Sequence, residues 1–155
     1  MTQSQLQELF YYKDGHLYWI NDNKYISLKD KRVGSIDNSA RSGYIIATVQ
    51  GKKFKEHRLV WIFHNGAIPS DLQIDHINGT RTDNNIDNLR MVTAKENSWN
   101  RTTAKGYTWE KSSKTYRVKL RVNGKDIHIG RYGSKLDAKC AYLEAKEKYH
   151  KIEAR

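Results

Sequence analysis

An α+β fold is what this 155-residue sequence predicts, and three observations predict it. Short runs of alternating polar and apolar residues, broken by Asp-Gly and Asn-Gly pairs, recur along the chain with the period of strands joined by tight turns. Two of these runs, Leu72 to His76 and Leu89 to Val92, flank a polar loop and lead into Thr93 and Glu96, a capping box that starts a helix at Ala94. Towards the end, three more runs precede a stretch with Ala138, Ala141, Tyr142, Ala145 and Tyr149 at helical spacing. The expected order is a small N-terminal antiparallel sheet, a strand-loop-strand-helix unit, and a three-stranded antiparallel sheet packed on one helix.

Residues 3 to 10 read as a short helix, and Asp14-Gly15, between Tyr11-Tyr12 and Leu17-Tyr18-Trp19, as a hairpin turn. Arg32 to Ile36, Tyr44 to Gln50 and Lys53 to Glu56, with Gly51 at the turn, read as a small antiparallel sheet. Its aromatic residues are assigned to the core, because a small domain needs every large apolar side chain for burial. Its lysines and Arg41 are available to phosphates, and none is singled out. His57 to Asn65 reads as a helix with Leu59, Ile62 and Phe63 on one face and Gly66 as its C-terminal stop, packing beneath the strand-loop-strand unit. His57 and His64 are read as structural or exposed histidines and are left out of the site.

Chemistry concentrates between Leu72 and Arg101. Asp75 and His76 fall on the first strand, Asn88 at the entry to the second, and Asn97 in the first turn of the helix. Mg²⁺ takes one or two carboxylates from a protein and leaves its other positions to water and substrate phosphate. Asp75 and the amide oxygen of Asn97 supply such a sparse oxygen set. His76, as a neutral imidazole beside it, would take a proton from water attacking phosphorus, while the metal stabilises the departing oxygen. Successive strand side chains point to opposite faces, so Asp75 and His76 can face one phosphate only if the strand kinks or ends there, and the sequence predicts a distortion at this pair. Asn88 would brace the irregular backbone through hydrogen bonds to the loop.

This ordered set resembles the HNH endonuclease family, whose catalytic unit is a ββα-metal finger, in the variant that places Asp-His where a His pair is usual. The resemblance extends upstream through His57-Arg58-Leu59-Val60-Trp61 and covers about residues 55 to 101. It implies His76 as general base, Asp75 and Asn97 as metal ligands, and Asn88 as the structural asparagine that names the motif. It implies Mg²⁺ as cofactor, with Mn²⁺ able to substitute. Many relatives also carry two CxxC pairs for structural zinc; one cysteine, Cys140, cannot build such a site, so no structural zinc is expected.

The net charge of +11 favours a polyanionic partner. Residues 101 to 155 hold 15 Lys and Arg against 6 Asp and Glu, so most of the excess lies there. No apolar run is long enough to span a bilayer, and the basic residues fall on a strand pattern with no basic amphipathic helix, so no membrane partner is expected. The N-terminal MTQSQLQELFYYKDG has no basic region followed by an apolar core, and a single cysteine forms no intrachain disulfide; the expectation is a cytoplasmic protein.

After the polar stretch Asn100 to Lys105, a linker by composition, Gly106 to Lys111, Thr115 to Val122 and Asp126 to Tyr132 read as strands, with Asn123-Gly124 as a turn. On the middle strand Tyr116, Val118, Leu120 and Val122 form one face and Arg117, Lys119 and Arg121 the other. His128 and Arg131 join the cationic face from the next strand. A sheet can lie in the DNA major groove and read base edges through such arginines. Gly106-Tyr107, Tyr116-Arg117-Val118, Asn123-Gly124-Lys125, Ile129-Gly130-Arg131-Tyr132 and Ala138 to Tyr142 are similar to the plant ethylene-response-factor type of DNA-binding domain over about residues 104 to 150. That resemblance implies major-groove docking of the sheet. Lys105, Thr108 and His128 stand where the plant domains place strand-one arginines and a strand-three tryptophan, so the docking carries over and the sequence preference does not.

The predicted domains are 1 to 103 and 104 to 155. The predicted function is a metal-dependent DNA endonuclease, similar to the homing endonucleases of phages and mobile elements, working as a monomer that nicks double-stranded DNA in a bacterial host. The alternative is a non-catalytic DNA-binding regulator that keeps the nuclease fold as a scaffold.

Overall fold

A computed structural model describes residues 1–22, 27–39, 43–100 and 105–152. Arg41 and residues 101–104 of the expected linker lie outside the described residues. The fold is α+β, and two compact units divide it, Met1–Ala94 and Lys95–Glu153. The sequence places its boundary later, after residue 103.

The first unit opens with α1 (Gln3–Leu9). The Thr2 hydroxyl accepts from the Gln5 N–H and the Gln5 side chain accepts from the Thr2 N–H, which satisfies two donors at the helix start. β1 (Phe10–Lys13) and β2 (His16–Trp19) then form a hairpin. Asp14 and Gly15 at its tip both take positive φ, 49° and 82°, the turn whose twist matches antiparallel strands. A Cβ on Gly15 would come within 3.1 Å of the Asn85 backbone nitrogen, so the tip lies directly against the loop that carries Asn84.

β3 (Gly34–Ile36), β4 (Ile45–Val49) and β5 (Lys52–Lys55) form an antiparallel sheet in the order β3-β4-β5. The first strand is shorter than its alternation suggests, because Arg32 makes only an isolated bridge to Tyr18. α2 (Glu56–Asn65) follows without a loop and ends at Gly66, whose φ of 83° suits a residue lacking Cβ. α2 buries Leu59, Val60 and Trp61; Ile62 and Phe63, expected on the same face as Leu59, are only partly covered. The cause is that α2 packs against α1, β2, β4 and β5 together, so its covered arc is wider and turned from the one a single neighbour would give. Leu6, Phe10, Leu17 and Val60 are completely enclosed, each contributing roughly 1.5–3 kcal/mol of burial.

β6 (Leu72–His76) and β7 (Leu89–Thr93) pair antiparallel from Leu72 opposite Thr93 to His76 opposite Leu89, with no break in register. A single 3₁₀ turn, Ile86–Asn88, closes the long loop, and α3 (Ala94–Trp99) starts directly after β7. Strand, strand and helix thus follow in the expected order.

In the second unit β8 (Tyr107–Glu110), β9 (Thr115–Val122) and β10 (Lys125–Tyr132) form an antiparallel sheet in the order β10-β9-β8. α4 (Lys135–Tyr149), capped by the Ser134 hydroxyl, packs on it through Ala138, Tyr142 and Ala145 against Val118 and Leu120. The alanines let the helix backbone approach the sheet, and any side chain at Gly106 would collide with the Tyr142 ring. No helix among the described residues is long and apolar enough to cross a membrane.

Candidate active site

Strand alternation decides where the two residues of the Asp-His pair go. Ile74 and His76 face α2, and Asp75 faces the other way. Of the two expected ways out, the strand does not kink but ends: β6 keeps its register through both residues and stops at His76. Each residue has a partner on its own side, so nothing forces the strand to kink. Asp75 lies opposite Arg90 in the ladder, and its Oδ2 accepts from Arg90 Nε at 3.0 Å and Nη2 at 2.9 Å. This pair is charge-assisted and largely enclosed, Asp75 being 7% exposed.

His76 is 4% exposed. Its Nε2 lies 3.0 Å from Asn84 Oδ1. The Asn84 amide in turn donates from Nδ2 to Glu56 Oε2 at 2.9 Å. Glu56, at the first position of α2, is fully enclosed. Its Oε1 accepts from the Leu17 N–H at 3.3 Å, and its Oε2 lies 3.3 Å from His16 Nδ1 and 3.5 Å from Arg32 Nη2. The position is apt for an anion, since the start of a helix concentrates unpaired N–H dipoles. Tyr12 holds the same loop by accepting from the Ile86 N–H at 3.1 Å.

Asn88 sits at the end of the 3₁₀ turn just before β7. Its Oδ1 accepts from the Asn78 N–H at 3.0 Å, and its Nδ2 donates to Asn78 Oδ1 at 3.1 Å and to the Asp83 carbonyl at 2.8 Å. The side chain ties both ends of the loop together. Asn97 is half-buried on α3, in the unit that begins at Lys95.

His57, left out by the sequence reading, packs its ring 4.9 Å from that of His76 at 66°. Its pKa is pushed down to about 3, first by burial and then by His76, Lys55 and Arg58. Its Nδ1 is enclosed without a hydrogen-bond partner. The signal for its burial was in the sequence, because His57, Val60 and Trp61 share one helical face at i, i+3 and i+4. Tyr44 covers the pair, its ring 5.1 Å from His57 and 6.1 Å from His76. Lys55 Nζ stands 4.1 Å from the Tyr44 centroid and Arg81 Cζ 5.0 Å. Burial first, then Arg58 and Arg81, lower the Lys55 pKa, so three cations crowd the edge of the histidine pair.

Residues 54–99 match the HNH endonuclease family. Two viral proteins are similar to the chain over part of its length. Protein 3.8 of Escherichia phage T7 is 38% identical over 78 residues, which is 46% of this chain and 64% of the phage protein. The uncharacterized HNH endonuclease L560 of Acanthamoeba polyphaga mimivirus is 37% identical over 65 residues, 41% of this chain and 34% of the viral protein. The chain therefore spans less than two thirds of either relative. No solved structure is a significant match.

The HNH region runs from the end of β5 through α2, β6, β7 and α3. Asp75 and the Asn97 amide are hard oxygen donors, the chemistry that Mg²⁺ selects with few protein ligands. Arg90 holds one oxygen of that carboxylate, and among the described residues no three His, Cys, Asp or Glu side chains gather as a metal cluster. The Asp75 carboxylate is of the donor type that a hard divalent cation takes, and Arg90 competes for it.

In the second unit the outer face of the sheet carries Thr108, Arg117, Lys119, Arg121, His128 and Arg131. A bulge between His128 and Gly130 puts His128 opposite Lys119 and Arg131 opposite Arg117, so the two share a face despite their odd spacing. The three cations of β9 are not all open. Glu110 on β8 binds Arg117 at 2.9 Å and Arg131 at 3.1 Å, and these partners hold its carboxyl below the usual range. Lys119, Arg121, His128 and the nearby Lys105 are exposed.

Proposed function

We propose that the protein is a metal-dependent DNA endonuclease of the HNH type, a phage or mobile-element homing enzyme that nicks duplex DNA in a bacterial cell. The observation that carries this reading is His76, enclosed at the end of β6 inside the matched region and anchored through Asn84 to Glu56. A buried imidazole whose ring is held by a hydrogen bond is oriented for use as a base. His76 takes the proton of a water whose oxygen attacks phosphorus. The bond from phosphorus to the 3′ oxygen breaks, leaving 5′-phosphate and 3′-hydroxyl ends. A divalent cation, Mg²⁺ with Mn²⁺ as substitute, held by Asp75 and Asn97 would supply stabilisation of charge on the leaving oxygen. Asn88 braces the loop through Asn78 and Asp83. Tyr44 brings Lys55 and Arg81 to its edge, where a scissile strand would pass.

The second unit serves as the delivery surface, its three-stranded sheet and helix supporting the resemblance to ethylene-response-factor domains drawn from the sequence. Lys119, Arg121 and His128 are its free contacts, joined by Lys105 and Thr108; Arg117 and Arg131 first share Glu110. The partner is double-stranded DNA and the working form is a monomer.

One observation favours a second reading. Arg90 already neutralises Asp75, as expected of a scaffold that binds DNA without cutting. Incubating supercoiled plasmid with the protein in Mg²⁺ or Mn²⁺, with a chelator control, separates the two. Metal-dependent conversion to open circle supports the nuclease; binding without conversion in either metal supports the regulator.

A further inference from the structure

We propose that Glu110 is a specificity-determining residue of the second unit's sheet: it reserves Arg117 and Arg131 for the uncharged edges of bases and turns phosphate away from them. The inference rests on the reading of this sheet as a surface for duplex DNA. It goes beyond that reading by separating the cations that read from those that hold.

The sheet brings together two arginines that repel each other. The bulge between His128 and Gly130 sets Arg131 on β10 directly opposite Arg117 on β9, and like charges at opposed positions of a ladder are destabilising. Glu110, on the edge strand β8, spans both. Its Oε1 lies 2.9 Å from Arg117 Nη1, and its Oε2 accepts from Arg131 Nε at 3.1 Å. The hydrogen bond from Arg131, and then the charges of Arg117 and Arg131, hold the carboxyl below its ordinary range, so it stays ionised at neutral pH. The Glu110 side chain is 19% exposed, and the three charges form a partly enclosed network instead of a loose surface pair.

What each guanidinium has left is decided by the nitrogen already engaged. Arg117 uses Nη1 and keeps Nε and Nη2, which project side by side; Arg131 uses Nε and keeps the outward pair of Nη1 and Nη2. Each therefore retains one complete two-donor fork, the shape that matches two neighbouring acceptors such as O6 and N7 of guanine. A phosphate also offers two oxygens, but it is an anion. At either fork it would bind a guanidinium already shared with a carboxylate a hydrogen bond away, and repulsion between the two anions weakens it there. A base edge carries no net charge and escapes most of that repulsion. Geometry admits both acceptors, and charge discriminates between them.

The same face supplies its own contrast. Lys119 and Arg121 on β9 are exposed and have no carboxylate partner among the described residues. Their full charge suits them to phosphates, which fix position without reading sequence.

The test uses the full-length protein in a chelating buffer, so that binding is read without cleavage. Duplexes retained from a randomised pool are sequenced, and the salt dependence of affinity is measured on a random duplex. R117A and R131A are each expected to erase one base preference of the intact protein, by ~5–150-fold at that base pair, with an unchanged salt slope. Lys119→Ala is expected to do the reverse, keeping the preferences and lowering the slope by about one. Glu110→Gln keeps the size of the side chain and removes its charge. It is expected to flatten the preferences that R117A and R131A erase, to bind the random duplex more tightly, and to steepen the slope by about one to two. A folded Glu110→Gln protein that selects the same sequences with the same strength overturns the proposal, and so does an intact protein that binds duplex DNA with no sequence preference. R117A and R131A proteins that lose affinity equally for all duplexes, with a slope shallower by about one, also overturn it, because those arginines then sit on phosphates; this arm decides the matter even where Glu110→Gln does not fold. An intact protein that binds no duplex DNA at all overturns the reading of the sheet itself, and the proposal with it.

Discussion

Asp75 and Arg90 form the pair on which the local energetics turn. Removing one partner of an enclosed ion pair strands the other charge, so Arg90→Ala is expected to cost about 3 kcal/mol in urea denaturation without added metal. If Asp75 is a metal ligand, millimolar Mg²⁺ should recover part of that loss in the variant and stabilise the unmodified protein less. Equal Mg²⁺ effects on both would place the cation elsewhere. Asn88→Ala removes a side chain with three loop hydrogen bonds and is expected to cost ~1–3 kcal/mol, read as a lower melting temperature. His57 gives a pH dependence of definite sign. Its pKa falls from the ordinary 6.5 to about 3 on folding, so the unfolded chain binds the proton first. Stability is full above pH 6.5 and is lost as pH falls towards 3, with a slope of at most ~1.4 kcal/mol per pH unit from this group. His57→Leu should flatten the curve between about pH 6.5 and 4 by that amount, and an unchanged slope would refute the assignment. At this scale the sequence was half legible. Asp75, His76 and Asn88 announce themselves by residue type and order. Glu56 and Asn84 do not, because their bond joins residues 28 apart and ordinary acidic and amide residues carry no mark of burial.

The turns and caps were the most legible elements. Asp14-Gly15 and Asn123-Gly124 adopt the positive φ values that those pairs favour, and the start of α3 at Ala94 follows Thr93 as expected. The bulge in β10 also had a signal, an isolated glycine inside a strand pattern, which alternation alone passes over. The setting of α3 was not legible. Within the second unit Trp99 stacks on His150 at 4.6 Å, and Lys95 donates to Asn123 at 2.7 Å, contacts between segments far apart in sequence. A chain ending at residue 103 would leave α3 without these partners, so deletion of 104–155 is expected to reduce helical content and cleavage as well as DNA affinity. A truncated protein with unchanged cleavage would show that α3 stands without them. On the sheet, Glu110→Gln releases Arg117 and Arg131, and DNA binding should steepen in its salt dependence by about one to two counterions, as measured by titration at several salt concentrations. No change in slope would remove these arginines from the phosphate-binding set.

For the whole molecule, most of the excess of +11 lies after residue 100 in the sequence, beyond the Asp75, His76, Asn88 and Asn97 set. On the proposed reading, chemistry and attraction to DNA would fall to different stretches of the chain. One Asp-His, Asn, Asn set occurs in the sequence, and on the proposed reading one such site would break one phosphodiester each time it docks. The central claim is that His76 is the base of a nuclease. Its most direct measurement is the rate of open-circle formation from supercoiled plasmid in saturating Mg²⁺ by the intact protein and by His76→Ala, each shown to be folded and to bind DNA equally. The account predicts open circle accumulating well before linear product for the intact protein, and a rate lower by ~10²–10⁴-fold for the variant. A His76→Ala protein that nicks at the parental rate would contradict it.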